Sequence, residues 1–280
     1  MIQVLVNAMI DGLAIGILAL CFGLIYNTLR VFHFAFASFY VLAAYAYLAG
    51  LGWLGLLFCV LLVYAVEAVV YYPLFRRRAS FAASFISSLG VHIILINSIV
   101  LFFGSDTRMV GPGIRPNYDI GPIILTDIQL WLLLYSLIVC VAMMLMLNRT
   151  SVGNSLLAVG ENLLLLKALG GNVRMLRVLA ITISTALAGV IAILRGLETG
   201  TDPFVGLGIL FTSVAAFIMS GGRSYQAIIF SGLLLGLIRN MTVWYFSAQW
   251  MDASTFICLI IILLVRQRGL SSMTTRLEEQ

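Results

Sequence analysis

Residues 148–178 read NRTSVGNSLLAVGENLLLLKALGGNVRMLRV, a polar and basic stretch set between apolar runs long enough to cross a bilayer. It holds Arg149, Arg174, Arg177 and the only lysine of the chain, Lys167, against one acid, Glu161. Lysine and arginine concentrate in the cytoplasmic loops of membrane proteins. The stretch is therefore predicted to be cytoplasmic, and its side fixes the side of every other loop.

The surrounding composition sets the class. Of 280 residues, 62% are hydrophobic and 10% charged, and the mean hydropathy is +1.11, whereas roughly a quarter of the residues of a soluble domain carry charge. Apolar runs near 4–28, 32–51, 53–75, 81–103, 129–147, 178–198, 206–221, 224–247 and 253–265 follow one another. About 20 such residues span a ~30 Å hydrocarbon core as a helix. The predicted fold is thus all-α: one polytopic helical bundle over 1–280 with about eight or nine spans, the second and seventh being the weakest crossings. With 148–178 inside, Arg30, Arg76–Arg78, Arg223, Arg266, Arg268 and Arg276 also fall inside, while Arg108 and Arg115 lie outside beside Asp106, Asp119 and Asp127. The N-terminus is then external and the C-terminus cytoplasmic. The net charge of +5 follows from this topology and calls for no nucleic-acid partner; lipid is the surrounding medium. The first run lacks a basic leader and a small-residue cleavage site, so it reads as a retained span. Cys21, Cys59, Cys140 and Cys258 sit within apolar runs without CxxC spacing and read as packing residues.

The outer loop 104–128 carries Pro112, Pro116 and Pro122 with Gly111-Pro112-Gly113 and Gly121-Pro122 turns, consistent with an external lid or docking surface and equally with a plain connector. Residues 200–205 form another outer turn, where Pro203 can open a half-helix. Gly12 and Gly16, and again Gly232 and Gly236, stand four apart, the spacing that lets helix backbones approach closely. The second span, which holds His33, Phe36, Ser38 and Tyr40, mixes small and aromatic residues. It reads as buried in the bundle or partly unwound beside a pathway.

A charge inside an apolar run costs several kcal/mol unless paired or hydrated, so each is a functional candidate. Glu67 lies deep in the third span, within reach of the inner interface near Arg76–Arg78. Arg195 and Glu198 read as an interfacial i, i+3 bridge. Arg239 in the eighth span admits snorkelling to headgroups, pairing with Asp252, or lining a cavity. His33 and His92 share no metal-ligand spacing and read as packing residues. No HExxH, GxSxG or Cys/His cluster is present, so no catalytic or metal site is expected. A phosphate-binding P-loop ends in Gly-Lys-Ser/Thr, but the sole lysine sits in Leu166-Lys167-Ala168. Any ATP and Mg used in transport must be bound by separate subunits.

In order along nearly the whole chain, RVFHFAFASFYVLAAY (30–45), EAVVYYPLFRRR (67–78), SSLGVHIILINSIVLFFG (87–104), SVGNSLLAVGENLLLLKALGGNVRMLRV (151–178) and WMDASTFICLIIILLVRQRGL (250–270) resemble the transmembrane permeases of binding-protein-dependent ABC importers of the branched-chain amino acid type. Where that family has a His-Gly-Glu pattern, this chain has Phe36-Ala37-Ser38. Leu163–Leu166 replace small and polar residues, and Gln267 replaces a proline.

The resemblance implies a non-enzymatic transport subunit in a bacterial-type inner membrane. Its partners would be a second, homologous or identical permease, two cytoplasmic ATPases and an external solute-binding protein. It places ATPase coupling at Leu156, Leu157, Glu161, Leu163, Leu164, Lys167 and Gly170. The substrate pathway would run past His33, Phe36, Ser38, Tyr40, Glu67 and Arg239. The alternative from another class is an ion- or proton-coupled secondary transporter acting without an ATPase, which needs a titratable relay near the midplane.

Overall fold

The structure is a computed structural model that describes residues 1–110, 116–121, 123–161, 163–222 and 224–265, excluding the side chains of Ile120, Glu161, Leu163, Leu164, Lys167 and Val265. Helix α1 (Ile2–Leu29) is the axis of the bundle and is buried along most of its length. A helix surrounded by others is apolar nearly all round; the exception in α1 is the row Gln3, Asn7 and Asp11 on one face of its first turns, where Gln3 donates to Asn7 at 3.0 Å. Its closest partner is α11 (Tyr225–Tyr245). A Cβ added at Gly12 would lie 2.7 Å from the Leu233 Cα, and one at Gly16 would lie 3.2 Å from the Ile229 Cα. In return, Gly232 faces the backbone of Gly16 and Gly236 that of Gly12. The two glycine pairs inferred as packing sites therefore pack on each other, bringing backbone against backbone.

α1 ends where Arg30 turns left-handed at φ 58, its N–H donating 2.9 Å to the Tyr26 carbonyl. After this reversal α2 (Ala35–Ala46) re-enters the bundle and runs into a π-helical turn, Tyr47–Leu51. Almost every residue of α2 is buried, as the reading of a bundle-interior segment required; its alanines let α9, α5 and α10 approach. α3 (Leu54–Val66) continues through a second π-turn, Glu67–Tyr71, into α4 (Tyr72–Arg76). α5 (Phe81–Phe103) starts at Ser80, whose hydroxyl accepts from Ala83 N at 3.2 Å.

The outer loop contains a feature that the all-α expectation omitted. Asn117–Ile120 (β1) and Ile123–Thr126 (β2) pair antiparallel, Asn117 opposite Thr126, with Gly121 at φ 62 in the turn. Gly111-Pro112-Gly113, Arg115 and Pro122 lie outside the described residues. Thr126 and Gln129 then form a capping box that opens α6 (Asp127–Arg149).

α7 (Ser151–Glu161) and α8 (Leu163–Ala168) precede α9 (Val173–Thr199), α10 (Val205–Ser220), α11 and α12 (Met251–Val265). The stretch 148–178 is thus less of a loop than its polarity implied: Asn148 and Arg149 finish α6, and Val173 already starts α9. Asn172 caps α9, its side chain accepting from Met175 N at 3.1 Å. The helix begins before the apolar run because hydrogen bonding, unlike hydropathy, does not stop at the bilayer edge.

Among the described residues, six helical stretches are long and apolar enough to cross a membrane: Ile2–Leu29, Leu54–Arg76, Phe81–Phe103, Asp127–Arg149, Val173–Thr199 and Tyr225–Tyr245. Ala35–Leu51, Val205–Ser220 and Ala248–Leu264 are shorter. Successive segments alternate in direction. Gln3 hydrogen-bonds both N and O of Ile124, and Arg108 bridges Thr201, so the N-terminus, the hairpin and the α9–α10 turn share one end of the bundle. Arg30, Arg76–Arg78 and α7–α8 occupy the opposite, basic end.

Candidate functional site

At the basic end, α7 and α8 form a compact unit. Leu156, Val159 and Leu166 are buried. A Cβ at Gly153 would lie 2.5 Å from the Leu147 Cα, and one at Gly160 would lie 3.3 Å from the Asn27 Cβ. The Arg30 guanidinium donates to the Gly160 carbonyl. Gly170, at φ 81, ends α8, with Leu169 N bonded to the Leu165 carbonyl and Gly171 N to the Leu166 carbonyl.

The structure changes which leucines can serve as contact knobs. Leu156 is 2% exposed and seats α7 on the bundle, so it presents nothing outward; Leu157 is half-buried. Among the described side chains of this unit, the exposed apolar ones are Val152, Leu165 and Leu169, the last two by far the more open. Sequence spacing left this open because a short helix can turn either face to its support. The side chains of Glu161, Leu163, Leu164 and Lys167 lie outside those described. Beside this unit Asn148, Asn154, Leu157, Ala158, Ser224, Tyr225 and Gln226 line a cavity of about 480 Å³.

The span charges are paired, in part with residues the sequence reading had not connected. Glu67 Oε1 meets Arg177 Nε at 2.9 Å, the side chains being 2% and 4% exposed. Arg177 also lies over the Phe75 ring at 4.5 Å, and Arg174 over that of Tyr72 at 4.7 Å. Glu67 thus pairs with the first turns of α9, whereas the sequence had pointed to Arg76–Arg78. The His33 and Tyr71 rings lie 4.7 Å apart, tilted at 49°. Ser38 Oγ lies 2.5 Å from His92 Nδ1, joining α2 to α5. Phe36 and Tyr40 are buried as well. The α2 candidates and Glu67 are therefore enclosed within the single chain.

Of the readings open for Arg239, the ion pair forms: Nη2 lies 3.1 Å from Asp252 Oδ1, while Nη1 donates to Thr212 at 3.2 Å and Thr255 at 2.7 Å. Arg195 bridges Glu198 at 3.1 Å, as the i, i+3 spacing indicated, but also binds Asp11. Asn240 donates to Asp11 Oδ2 at 2.8 Å and Gln129 to Glu198 at 2.9 Å. This network ties α1, α6, α9 and α11 together toward the hairpin end. The sequence reading overlooked Asp11, although a carboxylate within the first apolar run was the available signal. Among the described residues no cluster of three or more His, Cys, Asp or Glu side chains is placed to hold a metal.

The described residues thus form a multi-pass helical bundle with a small helical unit at one end and a charge pair buried between spans. Residues 4–265 match the family described as "Branched-chain amino acid transport system / permease component", and the chain belongs to that family. It is 26% identical to the high-affinity branched-chain amino acid transport system permease protein BraD of Pseudomonas aeruginosa, over 96% of this chain and 95% of that protein. It is 23% identical to LivH of Escherichia coli K12, covering 96% and 94%. A probable branched-chain amino acid transport permease protein LivH of Methanocaldococcus jannaschii is 26% identical, covering 89% and 83%. Among solved structures, a chain of PsaBC from Streptococcus pneumoniae in complex with Fab superposes with a TM-score of 0.55 at 16% identity, covering 92% of this chain and 90% of that one. That likeness supports the fold.

Proposed function

We propose that this chain is the permease subunit of an ATP-driven, binding-protein-dependent ABC importer in a bacterial-type inner membrane, translocating a branched-chain amino acid or a related small polar solute. The observation that carries the reading is the α7–α8 unit. It is anchored to the bundle by buried Leu156, Val159 and Leu166 and turns Leu165 and Leu169 outward at the basic end. An apolar knob on a rigid support suits a groove on a soluble partner. In this reading the basic end is cytoplasmic, two ATPases bearing ATP and Mg dock there, and a solute-binding protein docks at the hairpin end. ATPase closure then biases the bundle between inward- and outward-open states.

A second permease, homologous or identical, completes the pathway. Along α5, Ser87, Gly90, Ile94 and Asn97 fall on one stripe, with Asn97 exposed and open space over Gly90. An exposed amide in an apolar span suits a partner helix or a hydrated path better than lipid. The secondary-transporter alternative loses its main support, because Glu67 is neutralised by Arg177 in a buried pair.

The test is uptake of radiolabelled leucine into proteoliposomes containing the assembled transporter, comparing wild type with Leu165→Asp/Leu169→Asp. A charge forced into an apolar contact costs about 2–4 kcal/mol, which predicts a fall of roughly thirtyfold or more in ATP-driven uptake at unchanged permease abundance. Full uptake in the variant defeats the docking assignment.

A further inference from the structure

We propose that Arg30 is a positioning residue that fastens the end of α7 to the entry of α2 and to α5, carrying movement of the α7–α8 unit into the bundle. Its guanidinium holds the Gly160 carbonyl in the last turn of α7, where backbone carbonyls lack helical partners and the helix dipole is negative. Gly160 lies close over Asn27 of α1, so the contact is reinforced by packing.

The same residue sets the direction of the chain leaving α1. Arg30 adopts φ 58, ψ 29, uncommon for a side chain other than glycine or asparagine. The segment it launches is held by α5: Phe34 N donates to Ser88 Oγ at 3.2 Å, and that hydroxyl lies 3.1 Å from the Phe32 carbonyl and 3.0 Å from that of Phe85, its one proton serving either. A linkage thus runs from the end of α7 through the Arg30 guanidinium and the backbone of residues 31–34 to the start of α2 and, through the Phe34–Ser88 hydrogen bond, to α5. Buried Leu156 and Val159 attach α7 through contacts that have no direction. A directed hydrogen bond at its end resists sliding.

This inference rests on the reading that ATPases dock on α7–α8, and its test separates the two. Arg30→Gly keeps the left-handed backbone without strain and removes the guanidinium; Arg30→Lys keeps a cationic donor. Amide exchange of Leu157–Gly160 in the purified full chain reports anchoring, and uptake per ATP hydrolysed in the reconstituted transporter reports transmission. In Arg30→Gly, exchange should rise roughly tenfold or more, the scale of one charge-assisted hydrogen bond. Uptake per ATP should fall several-fold on the same scale while abundance and ATP hydrolysis persist, and Arg30→Lys should recover part of both. Unchanged exchange in Arg30→Gly overturns the anchor. Raised exchange with unchanged uptake per ATP overturns the transmission. A wild-type transporter without ATP-driven uptake defeats the proposed function instead, while the exchange measurement still decides whether Arg30 holds α7.

Discussion

Glu67 and Arg177 show how a charged residue is tolerated between spans. Each is almost wholly buried, and each neutralises the other at 2.9 Å. Removing one partner leaves an uncompensated charge and costs about 3–5 kcal/mol, whereas replacing both with apolar residues is often near neutral. Arg177→Met, which leaves the Glu67 carboxylate alone, should therefore sharply lower the thermal stability and membrane abundance of the permease. Glu67→Leu combined with Arg177→Met should restore most of both. Stability unchanged in the single variant means that the pair contributes nothing to folding. Glu67 was legible in the sequence as a charge that needed a partner, but the partner was not. Arg177 stood within what read as a soluble loop, and only the early start of α9 brings it to α3. Asp11 carried the same signal, a carboxylate inside an apolar run; its partners Arg195 and Asn240 are far away in sequence, and only the bundle assembles them.

Among the elements, α1 and α11 form the tightest contact. The glycine spacing was readable as a packing signal in both helices, but nothing in the spacing says that the two sets face one another. That depends on the order in which the spans assemble. At Gly12 a side chain meets the backbone of Leu233, which cannot move aside without separating the helices. Gly12→Val should therefore cost at least the 1–3 kcal/mol typical of overpacking, read as loss of folded protein in detergent. Gly208→Ala, in α10 with nothing within 4 Å of the added carbon, should be neutral and serves as the control. Equal loss in both variants would mean that helix destabilisation in general, rather than the α1–α11 contact, sets the outcome. The hairpin at 117–126 was not legible, since two four-residue strands in a proline-rich loop give too little alternation to register against turn signals.

For the whole molecule, apolar run lengths and the placement of arginine were sufficient to read a multi-pass helical protein, because the bilayer restricts spanning structure to a few forms. Which surfaces face a partner was not readable, since lipid and a partner helix accept the same apolar residues. Orientation is the property on which the proposed docking of ATPases and of a solute-binding protein depends, and it can be measured directly. The hairpin end presents Ser105 and Asn117, and the basic end presents Asn154, all exposed. The native cysteines sit in the spans, Cys21 and Cys59 being buried, so added cysteines give the main signal with a membrane-impermeant maleimide. Ser105→Cys and Asn117→Cys should label on intact cells, and Asn154→Cys only after permeabilisation. External labelling of Asn154→Cys would mean that the bundle is inverted, with α7–α8 outside the cell, and would overturn the proposed ATPase contact, since a soluble ATPase needs its dock on the side where nucleotide is supplied.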